Sequence, residues 1–145
     1  NIQVWNIDGG KDRLYRVVKK FDSPYYQIYV GNTSDGVVDI KGGKTENGSN
    51  AHVWKVNNNM AQDFYFKHLG DGRFKIYHRS GKIVTLANRK NDNGSNVHLW
   101  DDHDGIHNEW YIVDPTTKKA YIPEKSKPVE PNNQNGSGTP GRTFN

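Results

Sequence analysis

The sequence predicts an all-β domain: a closed barrel assembled from a threefold repeat. Two observations carry this. A five-residue segment, N-x-x-x-W, occurs three times, as Asn1-Ile2-Gln3-Val4-Trp5, Asn50-Ala51-His52-Val53-Trp54 and Asn96-Val97-His98-Leu99-Trp100. Ten residues after each of these tryptophans stands another aromatic, Tyr15, Phe64 and Trp110. The tryptophans are 49 and 46 residues apart (54 − 5 and 100 − 54), a period that belongs to repeat architectures.

Each repeat-spaced aromatic opens a strand-like run: Leu14 to Val18, Phe64 to Lys67 and Trp110 to Val113. Further runs rich in β-branched and aromatic residues lie at Tyr25 to Val30, Val37 to Ile40, Phe74 to Tyr77 and Ile83 to Leu86. They are cut by the turn pairs Asp35-Gly36, Gly42-Gly43, Asn47-Gly48, Asp71-Gly72 and Asn93-Gly94. No window sustains a helical period. Three repeats are too few to close a propeller, so a threefold barrel is the expected architecture. In it Tyr15, Phe64 and Trp110 are expected in the core, one per repeat, with Val4, Val53 and Leu99 also facing inward.

A chain of 145 residues is sized for one domain. It has no cysteine, which excludes disulfides, thiolate nucleophiles and thiolate metal sites. Hydrophobic residues are only 32%, but aromatics at 12% bury a large area per residue. No segment is long and apolar enough to form a spanning helix, so no membrane insertion is expected. The formal charge of +4 is spread thinly, in short pairs such as Lys19-Lys20 and Lys118-Lys119. A nucleic-acid partner would call for basic residues gathered beside exposed aromatics, and none is expected. The chain begins with Asn rather than Met and shows no signal peptide, as a processed or excised piece of a longer protein would.

At these residues the sequence resembles the ricin B-type lectins, a β-trefoil family marked by a Q-x-W that follows a V-x-L-W in each repeat. The middle copy is the clearest, Val53-Trp54 followed by Gln62-Asp63-Phe64. The next has Leu99-Trp100 and Asn108-Glu109-Trp110, and the first has Val4-Trp5 and Arg13-Leu14-Tyr15. Each is degenerate, since none keeps both Gln and Trp, and the resemblance covers about residues 1–113. It implies a carbohydrate-binding β-trefoil, with one shallow sugar pocket per repeat. In the middle repeat the implied site is Asp39, His52, Trp54 and Gln62, with Ala61 where the family often has Asn. A second, weaker site comprises Thr85, His98, Trp100 and Asn108, Thr85 standing at the acidic position. The third, incomplete, keeps Gln3, Trp5 and Arg13, its acidic position falling before Asn1. The chemistry suits a sugar: a carboxylate accepts two hydroxyl donors, and an indole covers the C–H face.

His103 and His107, with Asp101, Asp102 and Asp104, form a polar loop in this reading, and no metal or cofactor is expected. His52 and His98 are expected as ordinary histidines rather than metal ligands. The acids Asp35, Asp39, Asp101 and Asp104 are not placed in any pair of the kind a glycosidase needs, so binding and not catalysis is expected. The partners implied are glycans, galactose-like or otherwise hexose-containing, together with other domains or chains of a larger toxin, hydrolase or adhesin that is secreted or displayed at a surface. A protein-interaction or protease-inhibitor trefoil is the alternative, because a trefoil alone implies no ligand. Residues 1–122 form the trefoil in this scheme. Residues 123–145, rich in Pro, Asn and Gly, form a tail or linker, or supply part of the incomplete repeat. Asn135-Gly136-Ser137 echoes the Asn-Gly-Ser before the second and third copies, and one reading is that the C-terminal part supplies the missing half, giving a permuted trefoil. The rival is that a neighbouring chain or a preceding segment completes the repeat. The permuted reading expects Lys119 to Ile122 to pair with the strand of Ile2 to Trp5.

Overall fold

The computed structural model describes residues 1–3, 14–31 and 33–123. They contain nine strands: β1 (Tyr15–Lys19), β2 (Tyr26–Val30), β3 (Gly36–Ile40), β4 (Ala51–Lys55), β5 (Phe64–Gly70), β6 (Arg73–His78), β7 (Ile83–Leu86), β8 (Val97–Trp100) and β9 (Trp110–Tyr111). The main path of the sheet runs β4-β3-β2-β5-β6-β7-β8, with β1 on β2 and β9 on β6, every pairing antiparallel.

Two copies of one four-strand unit are evident, β1–β4 and β5–β8. In each, a 3₁₀ turn follows the third strand (Lys41–Gly43, Ala87–Arg89) and another closes the unit (Met60–Gln62, Ile106–Asn108). The hairpin registers match: Tyr15 faces Val30 as Phe64 faces His78. So do the joints between units, since Phe64 pairs with Tyr26 and Trp110 pairs with Phe74. Asp71 and Gly72 both adopt positive φ (55° and 79°), the backbone a tight hairpin turn needs and the reason Asp-Gly stands there.

The N-x-x-x-W segments meet at one place. Ile2 donates its N–H to the Ala51 carbonyl (2.9 Å) and accepts from Val97 N–H (3.0 Å). Just beside these bonds the asparagine amides form a chain: Asn96 Nδ2 donates to Asn50 Oδ1 (2.7 Å), and Asn50 Nδ2 donates to Asn1 Oδ1 (2.8 Å). The third and first segments are also clasped by the Asn-Gly-Ser of another copy. Gly48 N–H donates to the Leu99 carbonyl and Leu99 N–H to the Ser49 carbonyl, at 2.8 and 2.9 Å. Gln3 Nε2 donates to the Gly94 carbonyl at 3.2 Å. The core lies beneath, formed by Ile28, Val38, Ile40, Ala51, Ala61, Phe64, Val84, Leu86, Val97 and Leu99. Trp110 packs on it, its indole N–H donating to the Val84 carbonyl at 2.9 Å.

Two expectations about the core need correction. Tyr15 is 45% exposed rather than buried. Phe64 and Trp110 each sit against the second strand of the preceding unit, whereas β1 lies at the margin of the described sheet and is exposed along its length. Val53 is 37% exposed while its counterpart Leu99 is fully buried. Leu99 is covered by the Gly48-Ser49 clasp, and among the described residues no Asn-Gly-Ser segment clasps Val53. Val4 lies outside the described residues. Lys119 to Ile122 fold back onto the segment after β9: Val113 bridges Ala120, and Tyr121 N–H donates to the Ile112 carbonyl at 2.7 Å. Among the described residues they do not pair with Ile2 or Gln3; residues 4–13 and 124–145 lie outside them.

The amide chain and the buried His78 generate two predictions. Asn50→Ala strands the Asn96 and Asn1 amides and is expected to cost about 1–3 kcal/mol in urea unfolding. His78 donates from Nε2 to the Met60 carbonyl (3.2 Å) and accepts at Nδ1 from Ser80, so its neutral form is the one the fold accommodates. Burial holds its pKa below the ordinary 6.5. The unfolded chain therefore binds the proton more readily. Stability from this group is complete above pH 6.5 and is lost as pH falls through the lowered value. The urea midpoint should decline between pH 6.5 and 5, and less steeply in His78→Gln.

Candidate functional site

The middle-repeat residues converge. Asp39 on β3 pairs directly with His52 on β4, which puts both side chains on one face of the hairpin, and Trp54 follows two residues on. His52 Nε2 donates to Asp39 Oδ1 at 2.8 Å. Gln62, from the 3₁₀ turn that closes the unit, donates from Nε2 to Asp39 Oδ2 and to the Lys55 carbonyl, both at 2.9 Å. Its Oε1 accepts from Asn57 N–H at 3.0 Å, so this fully buried amide locks the loop after β4 onto β3. The turn is set by Asn59, whose side chain caps Ala61 N–H. The Trp54 ring stacks on His52 with centroids 5.5 Å apart and planes 16° from parallel, and 57% of the residue is exposed.

A carboxylate has about four lone-pair positions. His52 and Gln62 take one on each oxygen, and each oxygen retains another for a hydroxyl donor. Asp39 is itself largely buried, and the exposed Trp54 indole, stacked on its partner His52, stands on the same hairpin. Ala61 supplies no polar group where the resemblance calls for Asn.

The second site repeats the scaffold with altered chemistry. Thr85 pairs with His98, and His98 stacks on Trp100 (5.4 Å, 28°). Burial lowers the His98 pKa below its ordinary value, keeping the ring neutral. Thr85 Oγ1 donates to Asn108 Oδ1 and lies 3.1 Å from the His107 carbonyl. Asn108 Nδ2 donates to the His103 carbonyl at 2.6 Å. In the middle repeat the amide donates to the acid; here the hydroxyl donates to the amide. The contact persists with donor and acceptor exchanged, and the carboxylate is gone. Trp100 is 41% exposed, and its edge lies near Gly48 of the preceding unit.

Of the third set, Gln3 is described, with its side-chain amide directed at the Gly94 carbonyl; Trp5 and Arg13 lie outside the described residues. The loop after β8 holds contacts that sequence reasoning did not find. Lys82 Nζ donates to Asp101 Oδ1 (2.5 Å) and Asn47 Oδ1 (3.1 Å), tying the two units together below Trp100. Lys75 donates to Asp102 and Asp104, and Tyr77 Oη donates to Asp102. Burial opposes the Asp102 charge, yet these hydrogen bonds hold its pKa below the ordinary carboxylate value. Burial and the same carboxylate push the Tyr77 hydroxyl up to about 12. No spacing announced these contacts, because they need the loop folded over β6.

The chain has the β-trefoil fold. It is similar to ThreeFoil, a designed 3-fold symmetric protein (TM-score 0.71, 25% identity, 76% of this chain and 78% of that one). An exo-β-1,3-galactanase from Clostridium thermocellum matches at 0.68 with 24% identity, over 73% of this chain but 23% of the galactanase. The ricin B-like lectin of Macrolepiota procera, solved with lactose, matches at 0.57 with 14% identity over 73% of each chain. No protein-family model matches the sequence, and no curated protein matches it.

The geometry gives Gln62 a structural part. Gln62→Ala leaves Asn57 N–H and one Asp39 oxygen without their partner and is expected to destabilise the chain by about 1–3 kcal/mol. Denaturant unfolding against Asn108→Ala, which has the corresponding place in the next unit, should show similar losses.

Proposed function

We propose that the chain is a carbohydrate-binding module whose principal site is Asp39, His52, Trp54 and Gln62. The observation that carries this reading is a largely buried carboxylate, already oriented by two donors, beside an indole that is more than half exposed. Two adjacent hydroxyls of a galactose-like hexose would donate to the remaining Asp39 lone pairs while its C–H face lies on Trp54. The Thr85, His98, Trp100 and Asn108 site keeps the platform and lacks the acid, so it is the weaker. Similarity in fold to a lectin solved with lactose, and to a galactanase, supports a sugar as the ligand.

The module's part is binding rather than catalysis. Asp39 is bound to His52 and Gln62, and Asp101 and Asp104 pair with different lysines. Shallow sites of this kind bind weakly one at a time, and useful avidity comes from several sites or several chains. A role in holding a larger secreted or surface-displayed protein, such as a toxin or hydrolase, on cell-surface or polysaccharide sugars follows. Similarity to a mosquitocidal holotoxin, over 13% of that protein's length, fits this setting.

A glycan-array screen followed by titration of the best ligand tests the reading. Asp39→Ala and Trp54→Ala should each weaken binding at least about tenfold, the loss of roughly 1.4 kcal/mol. Binding that survives both changes overturns the site. A gain is expected from Thr85→Asp combined with Asn108→Gln, which rebuilds the acid–amide pair beside Trp100; a second binding equivalent by calorimetry is the readout.

A further inference from the structure

We propose that His103 and His107 form a two-imidazole clamp for a late first-row divalent cation, Zn2+ or Cu2+, on the loop between β8 and β9. Their Nε2 atoms are 3.2 Å apart. The contact is a hydrogen bond between the rings, and it already holds them at the separation, about 3.3 Å, of two imidazole nitrogens bound at 2.0–2.1 Å to one tetrahedral Zn2+. The His103 tautomer is set for the task. Its Nδ1 lies 2.7 Å from the Asp101 carbonyl, which can only accept, so Nδ1 carries the proton and Nε2 presents its lone pair. A ring nitrogen donating to a backbone carbonyl is the usual support for a metal-bound histidine.

The loop is shaped to bring the second ring in. Gly105 has φ +147°, and a Cβ there would lie 2.6 Å from His107 Cε1. A side chain at this position would displace the imidazole. Both histidines are half-buried, so an ion reaches them from solvent while their rings are held. His107 exchanges its Nε2 proton for the Nδ1 tautomer through solvent when the ion binds, with no net proton change between neutral rings.

The same loop excludes hard cations as the ligand. Calcium and magnesium need several oxygen donors. The Asp101 carboxylate is held by Lys82 and Asn47, and Asp102 by Lys75 and Tyr77. Nitrogen donors remain, and these select zinc, copper and nickel. Water or an exogenous donor completes the shell. The carbonyls of His103 and His107 also receive Asn108 and Thr85, so an ion here steadies the floor beside Trp100. The inference does not depend on sugar binding.

Calorimetric titration of the tag-free full chain with ZnCl2 at pH 7.5 is the test, with CaCl2 alongside. One zinc per chain is expected, no response to calcium, and an affinity at least tenfold lower in His103→Gln and in His107→Gln. Gly105→Ala, which removes no donor, should weaken zinc as well. Electron paramagnetic resonance of the unmodified chain with one equivalent of Cu2+ gives an independent readout, with coupling to imidazole nitrogens expected. Absence of saturable zinc binding, binding undiminished in the His103→Gln/His107→Gln double variant, or a copper signal with oxygen ligands alone would overturn the clamp.

Discussion

Strands of four or five residues bury too little surface to hold a shape alone, and in this protein they are held where the three N-x-x-x-W segments meet. Ile2 bonds to Ala51 and Val97 through its backbone, and the Asn96, Asn50 and Asn1 amides run in a chain alongside. A backbone group left unpaired beneath this junction would cost as much as a lost hydrogen bond. The asparagine at the head of each segment is therefore a requirement of closure. It also sets the register of everything that follows. With Ala51 fixed inward, alternation puts His52 and Trp54 together on the other face, over Asp39. The position of the candidate site is thus decided at the junction, several residues away from the indole.

Comparison of the two complete units separates what folding needs from what binding needs. Both need a polar contact between the third strand and the closing turn, because that contact anchors the loop in between. Asp39 with Gln62 and Thr85 with Asn108 supply it with opposite polarity. Both units also keep a histidine stacked beneath a tryptophan. Only the first has a carboxylate, with lone pairs beyond those that His52 and Gln62 occupy. A site of this kind can lose its acid without losing its scaffold, provided the amide partner changes with it. The substitution of Asn for Gln at position 108 is the change that fits the shorter, donating Thr85.

The fold was legible because its determinants are periodic. The aromatics ten residues beyond Trp54 and Trp100 were expected in the core; Phe64 and Trp110 pack there and also pair with the preceding unit. The pairing of Asp39 with His52 was legible only as proximity within a repeat. Its hydrogen-bond geometry follows from hairpin register, which a ten-residue connection does not reveal. Burial was misjudged at Tyr15 and Val53 for one reason. Whether such a residue is covered depends on a neighbouring unit, as Gly48 and Ser49 cover Leu99, and not on its own strand pattern. The network of Lys75, Tyr77, Asp102 and Asp104 was illegible because it joins a strand to a loop some 25 residues on through side chains alone.

Elements that correspond to parts of a third unit lie at both ends of the described chain. Trp110 stands on Phe74 as Phe64 stands on Tyr26, and the bridge between Val113 and Ala120 continues that unit's first hairpin. Ile2 holds the place in it that Ala51 and Val97 hold in theirs. Among the described residues these elements are joined to the other two units: the Trp110 indole to Val84, Ile2 to Ala51 and Val97, Gln3 to Gly94. Closing a barrel this way draws distant segments together, and the entropy of that closure grows only slowly with the length of chain between them. The asymmetry has a consequence for the sites. The units of Asp39 and Thr85 each carry their pocket on a continuous, internally paired hairpin. The Gln3 amide, by contrast, is directed at Gly94 of a neighbouring unit, which gives it a part in holding the units together.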